Sequence, residues 1–289
     1  MLCHTWHGRA ASDATNPPTR ATGKSRKAAP PMANSLSKFL RVLAALVIRE
    51  MITRYGRSWG GYVWAVLEPI GIIVILSLAF SQIVRAPAIG SSFVLFYATG
   101  YIPFHFFLET SLNTGLSVSV NKALLQLPMV TALDVLLSRF LLSVLTLILV
   151  ACVIFGGMLL IVEDQVDLAF DHLLLSGAAG LMLGLGVGAM NAVVFEFFPP
   201  WRQIWGIVSR PLFIISGIFF TFDELPRAIR DILWWNPLIH VVGEARRGFY
   251  PAYDGDYVTI SFPLLVGASL FTVGAAMLVR HRCRLAEIT

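Results

Sequence analysis

Apolar residues run along this chain in blocks too long for the core of a water-soluble domain. Six blocks, roughly 64–84, 93–115, 136–162, 172–195, 204–222 and 258–279, each approach the ~20 residues that a helix needs to cross a bilayer. Ahead of them the pattern changes. Leu36, Leu40, Leu43, Val47 and Met51 recur at three- and four-residue steps, with Lys38, Arg41, Arg49, Arg54 and Arg57 between them. That period predicts an amphipathic basic helix over 34–58, lying in the membrane surface with its cations among lipid phosphates; a helix packed on a partner is the other reading. Residues 1–33 hold no apolar run and are rich in Pro, Ala, Thr, Ser and basic residues, which predicts a disordered cytoplasmic tail.

The stretch 223–257 breaks the series. Its apolar turns are too short to span, and three prolines interrupt them. Such a pattern predicts two short re-entrant or interfacial helices on the outer side, since irregular backbone at membrane depth survives only against protein or water. Trp234, Trp235, Phe249, Tyr250 and Tyr253 would then sit at the interface. The loop 117–134 is short, with a helical turn over Lys122–Leu127 ended by Pro128, and reads either as a docking element or as an ordinary connection. The expected fold is an all-α integral membrane protein. Its 59–284 region carries six transmembrane helices, with re-entrant outer helices before the last of them.

Composition supports lipid as the solvent: 56% of residues are hydrophobic even before glycine is counted and 13% are charged, against about 45–50% apolar with glycine included and about 25% charged in soluble domains. The basic residues orient the chain. With the N-terminus inside, 17 of the 22 Lys and Arg fall on the cytoplasmic side and five outside, while ten of the 17 acids fall outside. That bias puts both termini in the cytoplasm and argues against a nucleic-acid partner.

The chemistry of an enzyme is missing from the pattern. The six histidines are scattered, and the three cysteines form no metal-ligand spacing. Gly23-Lys24-Ser25 mimics the end of a phosphate-binding loop, but Pro18 stands where the first glycine belongs. A metal, a cofactor or a catalytic group in this chain is therefore not expected. Charges inside apolar blocks are the functional candidates. Glu68 and Glu109 fall near the cytoplasmic ends of the first two spans, and Arg210 lies about six residues, or ~9 Å, into the fifth. Each reads as a substrate contact or as half of a structural pair. Gly180, Gly184 and Gly188 form small-xxx-small pairs suited to close helix packing.

Four strings, TRYGRSWGGYVWAVLEP (53–69), NKALLQLPMVTALD (121–134), FFPPWRQIWGIVSRPLFIISGIFF (197–220) and ELPRAIRDILWWNPLIHVVGEARRGFY (224–250), carry a resemblance. In order and spacing they resemble the membrane (permease) subunit of capsular polysaccharide exporters, in the type-two branch of ATP-binding-cassette exporters. The resemblance spans roughly 34–284. It implies a homodimer in the bacterial inner membrane bound to two copies of a separate ATPase, which holds the ATP and Mg. It also implies a coupling helix that docks on that ATPase through Asn121, Lys122, Leu124, Leu125 and Pro128. A lipid-linked polysaccharide would pass along the dimer axis toward periplasmic and outer-membrane components. Aromatic faces and cations suit an acidic sugar chain: Tyr55, Arg57 and Trp59 at the cytoplasmic end, Trp234, Trp235, Arg246 and Arg247 at the other, with Glu68 and Arg210 between. An ordinary interfacial belt is the competing reading of these residues. For the whole chain the alternatives are an exporter of O-antigen or teichoic-acid polymers, a membrane enzyme acting on lipid-linked sugars, and a membrane scaffold.

Overall fold

The computed structural model describes residues 32–55, 60–126, 130–161 and 168–281. The chain divides into two units, Met1–Arg41 and Val42–Thr289. In the first, the described residues are the opening turns of helix α1 (Met32–Tyr55), which occupies the stretch expected to be an amphipathic helix.

In the second unit every described element is helical. α2 (Gly61–Ser81) and α3 (Phe93–Gly115) are followed by two single-turn helices, α4 (Ser117–Val120) and α5 (Lys122–Leu125). Then come α6 (Ala132–Ile161), α7 (Phe170–Phe197), α8 (Trp201–Ile215), α9 (Arg227–Leu233), α10 (Pro237–Phe249) and α11 (Ser261–Arg280). Among the described residues, α2, α6, α7 and α11 are the four helices long and apolar enough to cross a membrane.

α3 and α7 form the centre. α3 is buried on almost every side from Leu95 to Phe107, as expected of a helix that is apolar all round. It packs against α2, α6, α7 and α10. α7 lies against α3 on one face and α11 on another, and its glycines allow both contacts. A Cβ on Gly184 would come within 2.8 Å of the Phe107 carbonyl oxygen of α3. On the other side Gly186 meets Gly267 of α11, where a Cβ would lie 2.7 Å from the Met182 carbonyl oxygen. The small-residue pairs of α7 thus face α3.

Two expectations are modified. The fifth apolar block, 204–222, is not one continuous helix. α8 has 15 residues, about 22 Å, against the ~30 Å of a hydrocarbon core. The chain turns at Gly217, whose φ of 80° is left-handed, and continues into a 3₁₀ turn at Phe222–Glu224. The stretch 223–257 does form two short helices, but α10 is an interior helix. Phe249 and Tyr250, expected at the interface, are buried against Leu95 instead. Trp235 is the exposed aromatic of the group. The reason is packing: α7 and α3 lie against α10, and the Asn236 side chain fixes the entry. Its Oδ1 accepts from the Leu238 amide at 3.1 Å, and its Nδ2 donates to the Ile215 carbonyl at 3.1 Å.

Substituting Gly267→Val should overpack the α7–α11 contact at a cost of about 1–3 kcal/mol. Gly156→Val in α6 should cost nothing, since a Cβ there meets nothing within 4 Å. Thermal unfolding of the two purified variants in detergent checks this; equal midpoints would show that the helices are further apart.

Candidate functional site

The segment after α3 is held from three directions. Asn121, buried between α4 and α5, donates to the Ser117 carbonyl at 3.2 Å and accepts from Arg49 Nη1 of α1 at 2.9 Å. Lys122 turns inward, its Nζ 3.1 Å from Glu196 Oε2 at the end of α7. Glu196 also accepts a short hydrogen bond from Ser119, and Ser119 Oγ accepts from Arg202 Nη2 of α8 at 2.9 Å. The Arg202 guanidinium lies over the Phe195 ring, 5.5 Å from its centroid. Leu125 packs into the cluster of Val118, Leu136 and Val193, and Leu124 is half-buried. What remains outward is Val120, Ala123 and Gln126. Pro128 lies outside the described residues. Beyond it, Thr131 and Asp134 bond reciprocally and start α6: the Thr131 amide donates to Asp134 Oδ2 at 2.8 Å, and the Asp134 amide to Thr131 Oγ1 at 3.2 Å.

Beside this segment α1 is tied to the helix core by charge. Glu50 is buried and paired with Arg139 of α6, whose Nε donates at 2.6 Å and whose Nη1 reaches the Asn113 carbonyl at 3.1 Å. Arg54 donates to Glu109 at 2.5 Å, and Asn113 bridges Glu109 at 3.1 Å and Ser143 at 3.0 Å. Glu50–Arg139 is the buried pair, and Arg139 divides its guanidinium between the carboxylate and the Asn113 carbonyl; Arg54–Glu109 is partly exposed and more weakly held.

The other expected site residues are not gathered here. Glu68 is exposed on α2 and lines a cavity with Glu109. Arg210 is exposed on α8. Arg57 and Trp59 lie outside the described residues, as does the side chain of Tyr55. Trp234 stacks on Phe262 of α11 at 5.6 Å, and Trp235 is exposed. Arg247 stands 3.6 Å from the buried Glu244, which His172 Nδ1 meets at 2.8 Å.

Arg246 is fully buried. Its Nη1 donates to the Phe220 carbonyl at 2.8 Å and its Nη2 to the Ile218 carbonyl at 3.2 Å, and it lies 4.4 Å above the Phe96 ring. It therefore fastens the turn after α8 to α10 and α3. In the loop beyond, the Tyr253 and Tyr257 hydroxyls are 2.9 Å apart, and burial pushes both phenols up, so they stay neutral. Phe96 sits near the start of α3 and the Asn121 segment follows its end, so the two groups are separated by roughly 30 Å of helix. Sequence reasoning named one partner of several pairs and missed Glu50, Arg139, Glu196 and Arg202. The available signal was that a charge within or beside an apolar block needs a partner; nothing in the order of residues says which.

The sequence pattern of the ABC-2 type transporter family matches residues 41–250. The polysialic acid transport protein KpsM of Escherichia coli is 32% identical over 237 residues, covering 81% of this chain and 90% of that one. The capsule polysaccharide export inner-membrane protein BexB of Haemophilus influenzae is 30% identical over 241 residues, 82% of this chain and 89% of that one. The O-antigen export system permease protein RfbA of Klebsiella pneumoniae is 22% identical over 258 residues, 89% and 98% of the two chains.

Arg246→Met should strand two buried carbonyls, at about 1–3 kcal/mol each, whereas Arg210→Met on the exposed face of α8 should change stability by less than ~0.5 kcal/mol. Thermal unfolding of both in detergent is the check. Equal stability would remove the clasp from the account of this end of the molecule.

Proposed function

This chain belongs to the ABC-2 type transporter family, and we propose that it is the membrane subunit of an ATP-driven exporter that carries a lipid-linked capsular polysaccharide across the inner membrane. The observation that carries this reading is the pair of capsule-export and polysialic-acid-transport relatives. They align over more than four-fifths of the chain at 30–32% identity, against 22% for the O-antigen permease. In this reading the chain works as a homodimer with two ATPase subunits. Those partners bind the ATP and Mg, and no residue of this chain performs covalent chemistry.

α3 and α8 would join α2, α6, α7 and α11 as the six crossings, with the turn after α8 completing the fifth. Both termini would be cytoplasmic, in keeping with the excess of Lys and Arg on that side, and α9 and α10 would enter from the outer side. The Asn121–Leu125 segment would be the coupling element. Its ties support that role: a docking element must be rigidly joined to the helices it is to move, and this one is held by α1, α7 and α8. Lys122 then acts as an internal tie rather than as a docking charge, and the outward side chains of Val120 and Ala123 form the docking face. Trp234, Trp235, Arg247, Tyr55, Arg57, Trp59, Glu68 and Arg210 remain the candidates for contact with the polymer.

Deleting the chain should abolish surface polysaccharide, and the chain should co-purify with an ATPase encoded beside it; polymer at the surface of the deletion strain would refute the export reading. Val120→Glu should lower ATPase co-purification about tenfold without shifting the unfolding midpoint. Lys122→Glu should instead keep the complex but lose export, and Glu196→Lys in the same chain should restore it. Undiminished export in Lys122→Glu would dismiss the internal tie.

A further inference from the structure

Two charges on apolar helices of the second unit find no counterpart in their own chain, and they are of opposite sign. Glu68 of α2 and Arg210 of α8 are both exposed, and neither makes an ion pair or hydrogen bond among the described residues. A bare ion on a helix at membrane depth is costly, so each calls for a partner. α3 gives a common ruler for their depth. The rings of Phe80 on α2 and of Phe219 after α8 both approach Tyr97, at 5.4 and 6.3 Å, which puts the two helices on one side of α3. Glu68 lines a cavity with His105 and Glu109. On α8, Trp205 meets Phe107 and Phe213 meets Phe104, at 6.5 and 5.3 Å between rings, and Arg210 lies between the two. The charges therefore stand within about one helical turn, or ~5 Å, of the same depth, a gap that an arginine side chain spans.

The residues around each charge match as well. Trp64, Glu68, Gly71 and Ile75 form one stripe of α2, and Gly206, Arg210 and Ile214 one stripe of α8. Trp64 is 66% exposed and Ile214 56%, while a Cβ on Gly71 or on Gly206 would meet nothing within 4 Å. Each stripe thus offers a large side chain and a gap that its own chain leaves unused. In the export reading α2 and α8 both ascend from the cytoplasmic side. In a two-fold dimer about the membrane normal, α2 of one copy and α8 of the other then run in the same direction. Setting Glu68 opposite Arg210 sets Trp64 opposite Gly206, each four residues earlier. It also sets Gly71 opposite Ile214 to within one residue. Large meets small on both sides of the charge pair, which is how helices approach closely in lipid.

We propose that α2 of one copy packs along α8 of a second copy of this chain, with Glu68 of each paired to Arg210 of the other. The assignment rests on the homodimer of the export reading and makes each charge half of a structural pair. The contact is self-complementary and occurs twice. The pair acts on register and on the choice of faces, because like charges set opposite one another repel. Charge reversal is therefore the decisive change.

The test uses membranes of cells making the whole exporter, with Cys3, Cys152 and Cys283 replaced by alanine. A copy carrying Trp64→Cys and a differently tagged copy carrying Gly206→Cys should form a disulfide-linked heterodimer on mild oxidation. Leu78→Cys with Gly206→Cys, ~21 Å out of register, should not. Adding Glu68→Arg to the first copy should lower the linked fraction about tenfold, and adding Arg210→Glu to the second copy should restore it. Surface polysaccharide should follow the same order. A missing heterodimer, a control pair that links equally well, or a loss that Arg210→Glu in the other copy does not relieve would each overturn the pairing. Rescue only when both reversals lie in one chain would overturn it too, in favour of a pair within the chain. Tagged wild-type copies that fail to co-purify would overturn the homodimer itself, whereas copies that co-purify without the crosslink overturn the pairing alone.

Discussion

Backbone lies against backbone where α7 meets α3 and α11, and the rest of the second unit is registered on those contacts. Gly184 brings α7 against the Phe107 carbonyl, and Gly186 with Gly267 does the same for α11. In lipid there is little hydrophobic force between helices, so close contact of this kind carries much of the association. It also sets positions at the helix ends. With α3 and α7 fixed in register, Glu196 at the end of α7 arrives beside the segment that follows α3, where it meets Lys122 and Ser119.

The two ends of α3 handle buried charge differently. At the Asn121 end three cations have a carboxylate each, Arg139 with Glu50, Arg54 with Glu109 and Lys122 with Glu196, while Arg49 and Arg202 bond Asn121 and Ser119. At the Phe96 end Arg246 has two carbonyl oxygens and an aromatic face but no carboxylate within salt-bridge distance among the described residues. The guanidinium suits that place because it is planar, weakly hydrated and able to fork between two acceptors, none of which a lysine offers. The carbonyls it takes belong to the turn that ends α8. A turn at that depth would otherwise leave its backbone unsatisfied.

Hydropathy made the long helices legible, because a run of twenty apolar residues admits few other solutions. The two short helices of 223–257 were legible from their prolines. Their burial was not: whether Phe249 and Tyr250 face headgroups or protein depends on what packs against α10, and α3 and α7 are distant in sequence. The break at Gly217 was hidden for a similar reason. Its neighbours Ile218, Phe219 and Phe220 continue the apolar run, and the side chains that take the carbonyls around the turn, Asn236 and Arg246, come from later in the chain. Single charges such as Glu68, Glu109 and Arg210 stood out against the apolar background. The Arg54 partner of Glu109 did not, because complementary charge in sequence carries no distance.

The pairs at the Asn121 end are contiguous, and that contiguity links α1 to the helix core. Arg49 holds Asn121, and Glu50 beside it on α1 holds Arg139. Arg139 donates to the carbonyl of Asn113, and the Asn113 side chain forms part of the cavity wall with Glu109, which Arg54 of α1 holds in turn. The Asn121 segment is therefore joined to α6 and α3 through charge-assisted hydrogen bonds, which are short and directional. Arg49, Glu50 and Arg54 thus tie one helix, α1, to the Asn121 segment, to α6 and to α3 at once.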